Sequence, residues 1–199
     1  MTKTDLEGVL LIDVRFHKDT RGFFVESYHK QHFAEHGIGL DFVQDNYSRS
    51  ARGVLRGIHF QGLTAPMAKL VRCTAGRMLD VAVDLRAGSP TLGRWVATEL
   101  SPDNMRQILV PVGFGHAFLT LSDWADVQYK CSGYYTPSAE GSVRWSDPDL
   151  AIDWPIKDPV VSERDDAAPS LRQYLERPAF RYELTPTPTL PPDGREKTK

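Results

Sequence analysis

Short strand-like runs separated by turn clusters are the feature that most constrains the fold of this chain. Between Phe42 and Trp154, apolar or alternating runs recur, among them KLVRC, MLDVAVDL, RWVATEL, QILVPV, HAFLTL and DVQYKC. Clusters such as RAGSPTLG and SPDN lie between them and supply residues that favour tight turns. This spacing predicts an all-β sandwich or barrel.

Helix is expected only near the two ends of the chain. The first candidate, KQHFAEHG, ends in Gly37, and the second, SERDDAAPSLRQYLE, begins at Ser162. Asp165 follows Ser162 by three positions, as in a capping box, and Pro169 limits the first turn. The segment 183–199 is rich in proline and polar residues, which predicts a flexible tail after a single domain spanning 1–182.

Composition narrows the function classes. The chain has 199 residues, 41% of them apolar, which is enough for one substantial core. A net charge of -2 gives no bulk attraction to nucleic acid or to an anionic membrane. The chain has neither a bilayer-spanning apolar run nor a signal-peptide pattern, and Cys73 and Cys131 fall in strand-like segments. We therefore expect a soluble cytoplasmic protein with reduced thiols and without nucleic acid or membrane partners.

Two signatures in the chain resemble those of the cupins. Gly53 is followed after five residues by His59, and Pro111, Gly113 and His116 fit a Pro-x-Gly-x-x-His pattern. The resemblance implies a double-stranded β-helix, the cupin jelly roll, with short terminal helices.

The residues at the metal-ligand positions of the cupin signatures argue against a metal. In metal-binding cupins the first signature supplies two histidines and a glutamate, and the second supplies another histidine. Here Gln61 stands at the second histidine, and Lys69 lies where the carboxylate is expected. An ammonium group repels a dication, so we expect neither a metal nor another cofactor. The remaining imidazole, ammonium, guanidinium and phenol groups form an acid–base set.

A more specific resemblance covers about residues 5–176. It is carried by RGFFVES, FVQDN, VLRGIHFQ, KLVRC, DVAVDLR, SPT-G-W, YK-x3-YY-x-P, EG-x-x-W and SERD. Together these are similar to the dTDP-4-dehydrorhamnose 3,5-epimerase family. The resemblance implies metal-independent epimerisation of dTDP-4-dehydro-6-deoxy-D-glucose at C3 and C5, giving dTDP-4-dehydro-L-rhamnose. The ketone makes this chemistry possible, since a proton beside a carbonyl leaves a delocalised enolate.

The resemblance assigns roles to four catalytic residues. They are His59 as the base, Asp165 as the carboxylate that orients it, Lys69 as the cation beside the enolate oxygen, and Tyr129 as the acid on the opposite face. Asp166, next in the chain, is an open alternative to Asp165. Tyr134 and Tyr135 are expected nearer the nucleotide.

The resemblance also implies a set of substrate-binding residues. They are Arg21, Glu26, Gln44, Asn46, Arg56, His116, Glu140 and Arg164, which would bind diphosphate, sugar and base. Lysine is commonest in the family at Arg164, so the geometry of that contact differs here. The RGFFVES strand crosses to a second subunit in the family, which implies a homodimer with shared active sites.

Three other functions stay open at this point. One is a single-carbon epimerase acting on a related dTDP-4-keto-deoxysugar, because the family includes members that invert only one carbon. The loop QGLTAPMAKL also departs from the expected glycine-containing stretch, which leaves the shape of the sugar pocket and the downstream pathway open. The others are a cupin 3,4-ketoisomerase and a sugar-nucleotide sensor without catalytic activity.

Overall fold

A computed structural model describes residues 1–184 and contains thirteen β-strands with few short helices. The strands are β1 (Thr2–Lys3), β2 (Leu10–Asp13), β3 (Phe16–Asp19), β4 (Gly22–Val25), β5 (Gln44–Ala51), β6 (Leu55–Gln61), β7 (Lys69–Ala75), β8 (Met78–Asp84), β9 (Trp95–Leu100), β10 (Arg106–Val110), β11 (Phe114–Thr120), β12 (Trp124–Cys131) and β13 (Glu140–Ser142). The six strand-like runs identified in the sequence correspond to β7 through β12.

The strands form two antiparallel sheets that face each other. The first has the order β1-β2-β10-β7-β12-β5 and the second the order β13-β6-β11-β8-β9. Strands β3 and β4 pair only with each other and form a separate hairpin, called here the arm. The predicted jelly roll is confirmed.

Apolar side chains fill the space between the sheets and cover their outer faces. Val71 and Val127 of the first sheet meet Phe114 and Phe118 of the second in the central core. The segment that follows β13 is called here the C-terminal segment. On the outer face of the second sheet, it contributes to a further buried cluster that includes Trp154, Leu171, Tyr174 and Phe180. The C-terminal segment is therefore bound to the sheet that carries His59.

The helices are short, and the second predicted helix is divided in two. They are α1 (Lys30–Glu35), α2 (Glu163–Asp166) and α3 (Leu171–Glu176), with 3-10 turns at Pro137–Ala139 and Tyr182–Leu184. Pro169 lies between α2 and α3, where its ring and missing N–H prevent a continuous helix.

The capping of this divided helix matches the sequence prediction only in part. The Ser162 hydroxyl accepts a hydrogen bond from the Asp165 N–H at 3.1 Å, as predicted. The Asp165 carboxylate does not close a capping box on the Ser162 backbone N–H and contacts His59 instead. The complete capping box is formed by Ser170 and Gln173 at the start of α3. Ser162 thus holds the backbone of Asp165, whose side chain points away from α2 and towards His59.

Other sequence predictions concern the termini and the cysteines. Glu183 and Leu184, the first two residues of the predicted tail, belong to the last 3-10 turn, and the rest of the tail lies outside the described residues. Within residues 1–184, no helix is long and apolar enough to cross a bilayer. Cys73 and Cys131 are buried free thiols, as predicted.

A β-bulge in β6 places two polar side chains on the same face of the second sheet. His116 is paired with His59, whereas Phe118 is paired with Arg56, so β6 has one residue more than β11 over this interval. Side chains alternate between faces along a regular strand, so Arg56 and His59 would otherwise point in opposite directions. Because of the extra residue, both point between the sheets.

Gly57 makes the bulge possible. Its φ of 130° is a conformation that side chains rarely adopt, and a Cβ atom there would lie 2.4 Å from the Ala117 Cβ. Only glycine combines that backbone angle with such close approach of a neighbouring strand.

Gly57→Ala is expected to lower the free energy of unfolding by about 2 to 5 kcal/mol, from backbone strain together with overpacking. Urea denaturation measures this change. Gly53→Ala is the matched control, because Gly53 also has a positive φ of 79°, but a Cβ atom added there would meet no neighbouring group within 4 Å. The control should lose about 1 to 2 kcal/mol. Equal losses in both variants would contradict the close-contact explanation.

Candidate active site

A cavity of about 490 Å³ opens between the two sheets. Of the twelve residues predicted for the site, seven line it: Arg56, His59, Lys69, His116, Tyr129, Arg164 and Asp165. All four predicted catalytic residues are in this group. They come from both sheets and from α2, so long-range folding brings them together.

His59 and Asp165 form an imidazole–carboxylate pair. The His59 Nε2 lies 2.6 Å from the Asp165 Oδ1, and the other carboxylate oxygen accepts a bond from the Gly57 N–H at 3.3 Å. Nε2 is used by the carboxylate, so Nδ1 is the ring nitrogen left to meet a substrate. The adjacent Asp166 is exposed, so the structure places Asp165, rather than its neighbour, against the imidazole.

The Asp165 carboxyl is held in its ionised form. Burial alone would raise its pKa, but the hydrogen bond from His59, the charge of that imidazole when it is protonated, and bonds from Gly57 and Ser162 outweigh burial and lower it. The anion is thus available to orient the imidazole and to stabilise it when it gains a proton.

Lys69 and Tyr129 lie on the opposite sheet from His59. The Lys69 Nζ is 5.8 Å from the centre of the Tyr129 ring. Burial lowers the pKa of Lys69, against the opposing influence of Cys131, Asp80 and Glu140. Burial also raises the pKa of Tyr129, against a hydrogen bond with Asn46. A planar group between the sheets would therefore meet a base on one face and a protonated phenol on the other.

His116 occupies the strand position directly opposite His59. The two residues are paired across β11 and β6. The His116 Nε2 lies 2.9 Å from the Asp80 Oδ2, and both side chains are buried. The cavity therefore contains two imidazoles, each bound to its own carboxylate through Nε2.

Glu140 forms an ion pair with Arg164, one of the residues that line the cavity. Glu140 lies 2.9 Å from the Arg164 guanidinium and accepts a 2.7 Å bond from the Tyr135 hydroxyl. Burial would raise the pKa of Glu140, but these bonds lower it below its ordinary value. Gln44 bonds the Asn46 side chain at 2.9 Å and accepts from the Tyr135 N–H at 3.0 Å. Gln44, Asn46 and Glu140 thus stand beside the residues that line the cavity.

Arg21 and Glu26 lie apart from the cavity of their own chain. Arg21 is at the tip of the arm, where its side chain is 88% exposed and bonds Asp19. Glu26 follows the arm, and its carboxylate lies 3.2 Å from His32 Nδ1. One chain alone does not bring these two residues to the other ten.

The cupin metal-ligand positions are occupied by groups engaged elsewhere. Gln61 donates to the Ala65 carbonyl at 2.9 Å and the Tyr134 carbonyl at 3.2 Å, and it accepts from the Thr136 N–H at 2.7 Å. His59 and His116 each direct Nε2 to an aspartate, and a cationic side chain occupies the remaining position. These residues do not fit a divalent metal.

Sequence reasoning missed two polar residues at the site. Asp80 is fully buried behind His116, and Ser48 lines the cavity with a hydroxyl that has no partner in the described part of the chain. The signal for Asp80 was an acidic residue at an inward position of the apolar run MLDVAVDL. Ser48 lies two residues after Asn46 along β5, so the two side chains point to the same face of the sheet.

Fold and site together define a cupin whose cavity is equipped for proton transfer. The family model described as dTDP-4-dehydrorhamnose 3,5-epimerase matches residues 3–173. A protein of that name from Salmonella typhimurium is 49% identical over 175 residues, which cover 87% of this chain and 96% of the relative. The chain belongs to the dTDP-4-dehydrorhamnose 3,5-epimerase family.

Solved structures agree with this membership. The 3,5-epimerase of Legionella pneumophila, in complex with dTDP-4-keto-L-rhamnose, superposes with a TM-score of 0.86 at 45% identity, covering 90% of this chain and 96% of that one. A 3'-monoepimerase from Streptomyces bikiniensis, in complex with dTDP-quinovose, gives a TM-score of 0.87 at 37% identity, with 92% and 94% covered.

The Asp165 pair predicts a pH-dependent contribution to stability. The pKa of Asp165 is lower in the folded protein than in the unfolded chain, where an aspartate titrates near 4. Its stabilising contribution is therefore complete well above pH 4 and is lost as the pH falls through about 4 and below. Asp165→Asn should cost about 1 to 3 kcal/mol at pH 7, and less at pH 3, in denaturant unfolding.

Asp166→Asn is the matched control for this experiment, since it makes the same change at an exposed neighbour. It should leave stability within about 0.5 kcal/mol of wild type at both pH values. A difference between wild type and Asp165→Asn that stays constant with pH would contradict the assignment.

Proposed function

We propose that this chain epimerises dTDP-4-dehydro-6-deoxy-D-glucose at C3 and C5, giving dTDP-4-dehydro-L-rhamnose. One observation carries the proposal: His59 on one sheet, bonded to Asp165, faces Lys69 and Tyr129 on the other sheet across one cavity. Inversion at carbon requires proton removal from one face and delivery to the other. This arrangement supplies both faces.

Proton removal is assigned to His59. With its Nε2 proton bonded to Asp165, the neutral imidazole carries its lone pair on Nδ1. It takes the proton from the carbon beside the C4 ketone, and the carbon–hydrogen electron pair moves into the enolate. Asp165 then stabilises the imidazolium that has formed.

Charge stabilisation and reprotonation are assigned to the opposite sheet. The Lys69 ammonium donates to the enolate oxygen from a buried position, where such a donor stabilises the transition state more than it would in water. Tyr129 delivers a proton to the carbon from the face opposite His59. The electron pair of the enolate forms the new carbon–hydrogen bond, and the ketone is restored.

Substrate binding is assigned to the charged groups around the cavity. Arg56 and Arg164 present guanidinium groups suited to the diphosphate, and Glu140 holds the second of them in place. Gln44 and Asn46 offer amide groups to the sugar and base. His116 faces His59 across the cavity and contributes a further hydrogen-bonding nitrogen.

A homodimer with shared active sites is part of the proposal. Phe23 and Phe24 of the arm are 56% and 69% exposed, which is an unusual position for two adjacent aromatic side chains. The arm also carries Arg21, and Glu26 follows it. Docking the arm on a second copy would cover the aromatics and bring these two residues to that copy's cavity. The buried free thiols of Cys73 and Cys131 are consistent with a cytoplasmic enzyme.

A single-carbon epimerase is the second candidate, favoured by the similarity to the 3'-monoepimerase structure. Proton NMR in deuterated buffer separates the two candidates. Incubated with dTDP-4-dehydro-6-deoxy-D-glucose, the enzyme should introduce deuterium at both C3 and C5 and form the L-lyxo sugar. Deuterium at one carbon would establish the single-carbon reaction, and deuterium at neither would exclude both candidates.

Variants assign the steps in the same NMR measurement. His59→Asn should abolish exchange at both carbons, because no base remains. Tyr129→Phe should still exchange but lose inversion, because the acid on the other face is missing. Lys69→Met should lower the rate of deuterium exchange about 10²- to 10³-fold, because the donor to the enolate oxygen is lost.

Mixing two inactive variants tests the shared site. Arg21→Ala removes the arm contact and His59→Asn removes the base, so each homodimer should be inactive. Refolding the two together forms hybrids in which one site has both residues intact, and about a quarter of wild-type activity should return. No recovery, with dimers confirmed by light scattering, would exclude sharing of Arg21 between subunits.

A further inference from the structure

Asp80 is a buried carboxylate that the proposed reaction does not use. Its side chain is completely buried on β8, and Oδ2 lies 2.9 Å from His116 Nε2. Oδ1 has no hydrogen-bond partner among residues 1–184. Burying a carboxylate with one oxygen unpaired is costly, so its surroundings must provide compensating charge.

Asp80 stands between the two sheets and behind the cavity. It is paired with Phe118 of β11, two residues from His116, so both polar side chains point inward from the second sheet. Lys69 reaches the same region from the first sheet: its Nζ lies 5.8 Å from the centre of the Tyr129 ring, and the centres of the Tyr129 and His116 rings are 6.5 Å apart. The position of Asp80 therefore links a proposed binding residue to the proposed enolate-stabilising cation.

Lys69 has few anions to balance its charge. Burial lowers its pKa, and the groups that oppose this are Cys131, Asp80 and Glu140. Burial raises the pKa of the Cys131 thiol, which therefore remains neutral near pH 7. Glu140 is already bound by Arg164 and Tyr135. Asp80 is the carboxylate in this group whose second oxygen has no hydrogen bond within the described chain.

We propose that Asp80 is a positioning residue that serves two cavity residues: it fixes the His116 ring through Nε2, and its carboxylate supplies the negative charge that balances the Lys69 ammonium. Because Nε2 of His116 is bonded to Asp80, its Nδ1 is the nitrogen available to the substrate. The bond between His59 and Asp165 leaves Nδ1 of His59 available in the same way. The role in turnover rests on the proposed function, whereas the charge coupling to Lys69 does not. Asp80 touches neither the substrate nor the reacting atoms.

Asp80→Asn is the direct test, since it keeps the side-chain shape and removes the charge. Turnover should fall by about 10- to 100-fold, as for other residues that orient a functional group. The alkaline limb of the kcat profile, measured from pH 6 to 10, should move to lower pH, because Lys69 loses its proton more easily. A drop in kcat with an unmoved limb would reduce Asp80 to a structural residue and overturn the proposal.

Cys131→Ala is the matched control. It removes the thiol that is paired with Lys69 on the neighbouring strand β12, and because that thiol is neutral the alkaline limb should stay in place. A shift in Cys131→Ala equal to that in Asp80→Asn would assign the effect to the thiol and contradict the proposal.

A measurement without substrate separates this proposal from the proposed function. Nitrogen-15 NMR of the lysine Nζ groups, with the Lys69 signal assigned by its absence in Lys69→Met, follows the titration of Lys69 directly. Asp80→Asn should titrate at lower pH than wild type. If wild type lacks epimerase activity but this shift is present, the proposed function fails and the coupling stands; an unchanged titration overturns the coupling whatever the activity.

Discussion

Ionised side chains between the two sheets lie against apolar faces formed by residues such as Val71 and Phe118, where an unpaired charge is costly. Several polar side chains of the cavity are therefore paired with a group of opposite or complementary character. His59 meets Asp165, His116 meets Asp80, and Glu140 meets Arg164. These pairings determine the tautomer and direction of each cavity group. They also determine the chemistry available to the cavity, because an imidazole whose Nε2 is bonded to a carboxylate has only Nδ1 left for a ligand.

The scaffold provides these pairs with little freedom of movement. His59, Lys69, His116 and Tyr129 lie on strands in the interior of the two sheets, where neighbours on both sides fix the backbone. Asp165 instead reaches His59 from a short helix in the C-terminal segment. Val161 before that helix and Leu171 after it belong to the apolar cluster on the outer face of the same sheet. Packing on one face of the sheet thus supports the orientation of the base on the other.

Sequence patterns predicted the strands and much of the site, but not the geometry that joins them. Strands β7 to β12 were readable because each is a short apolar or alternating run between turn residues. The spacing of Arg56 and His59 gave no sign of a bulge, because the register of β6 depends on its pairing with β11. Asp80 was overlooked since its partner lies 36 positions away, and no local pattern connects it to His116. The helix from Ser162 was predicted as one element, although Pro169 was already visible as its interruption.

Gln61 holds the loop that carries Tyr134 and Thr136 through hydrogen bonds from its amide group. At the corresponding cupin position a histidine would ligate a metal. An imidazole cannot reproduce both the donor pair and the acceptor of this amide. Restoring a metal centre would therefore require more than one exchanged side chain: the loop would need a new anchor, and both buried aspartates would have to release their histidines. The hydrogen bonds that hold this loop and orient the two histidines therefore also keep these positions from binding a metal.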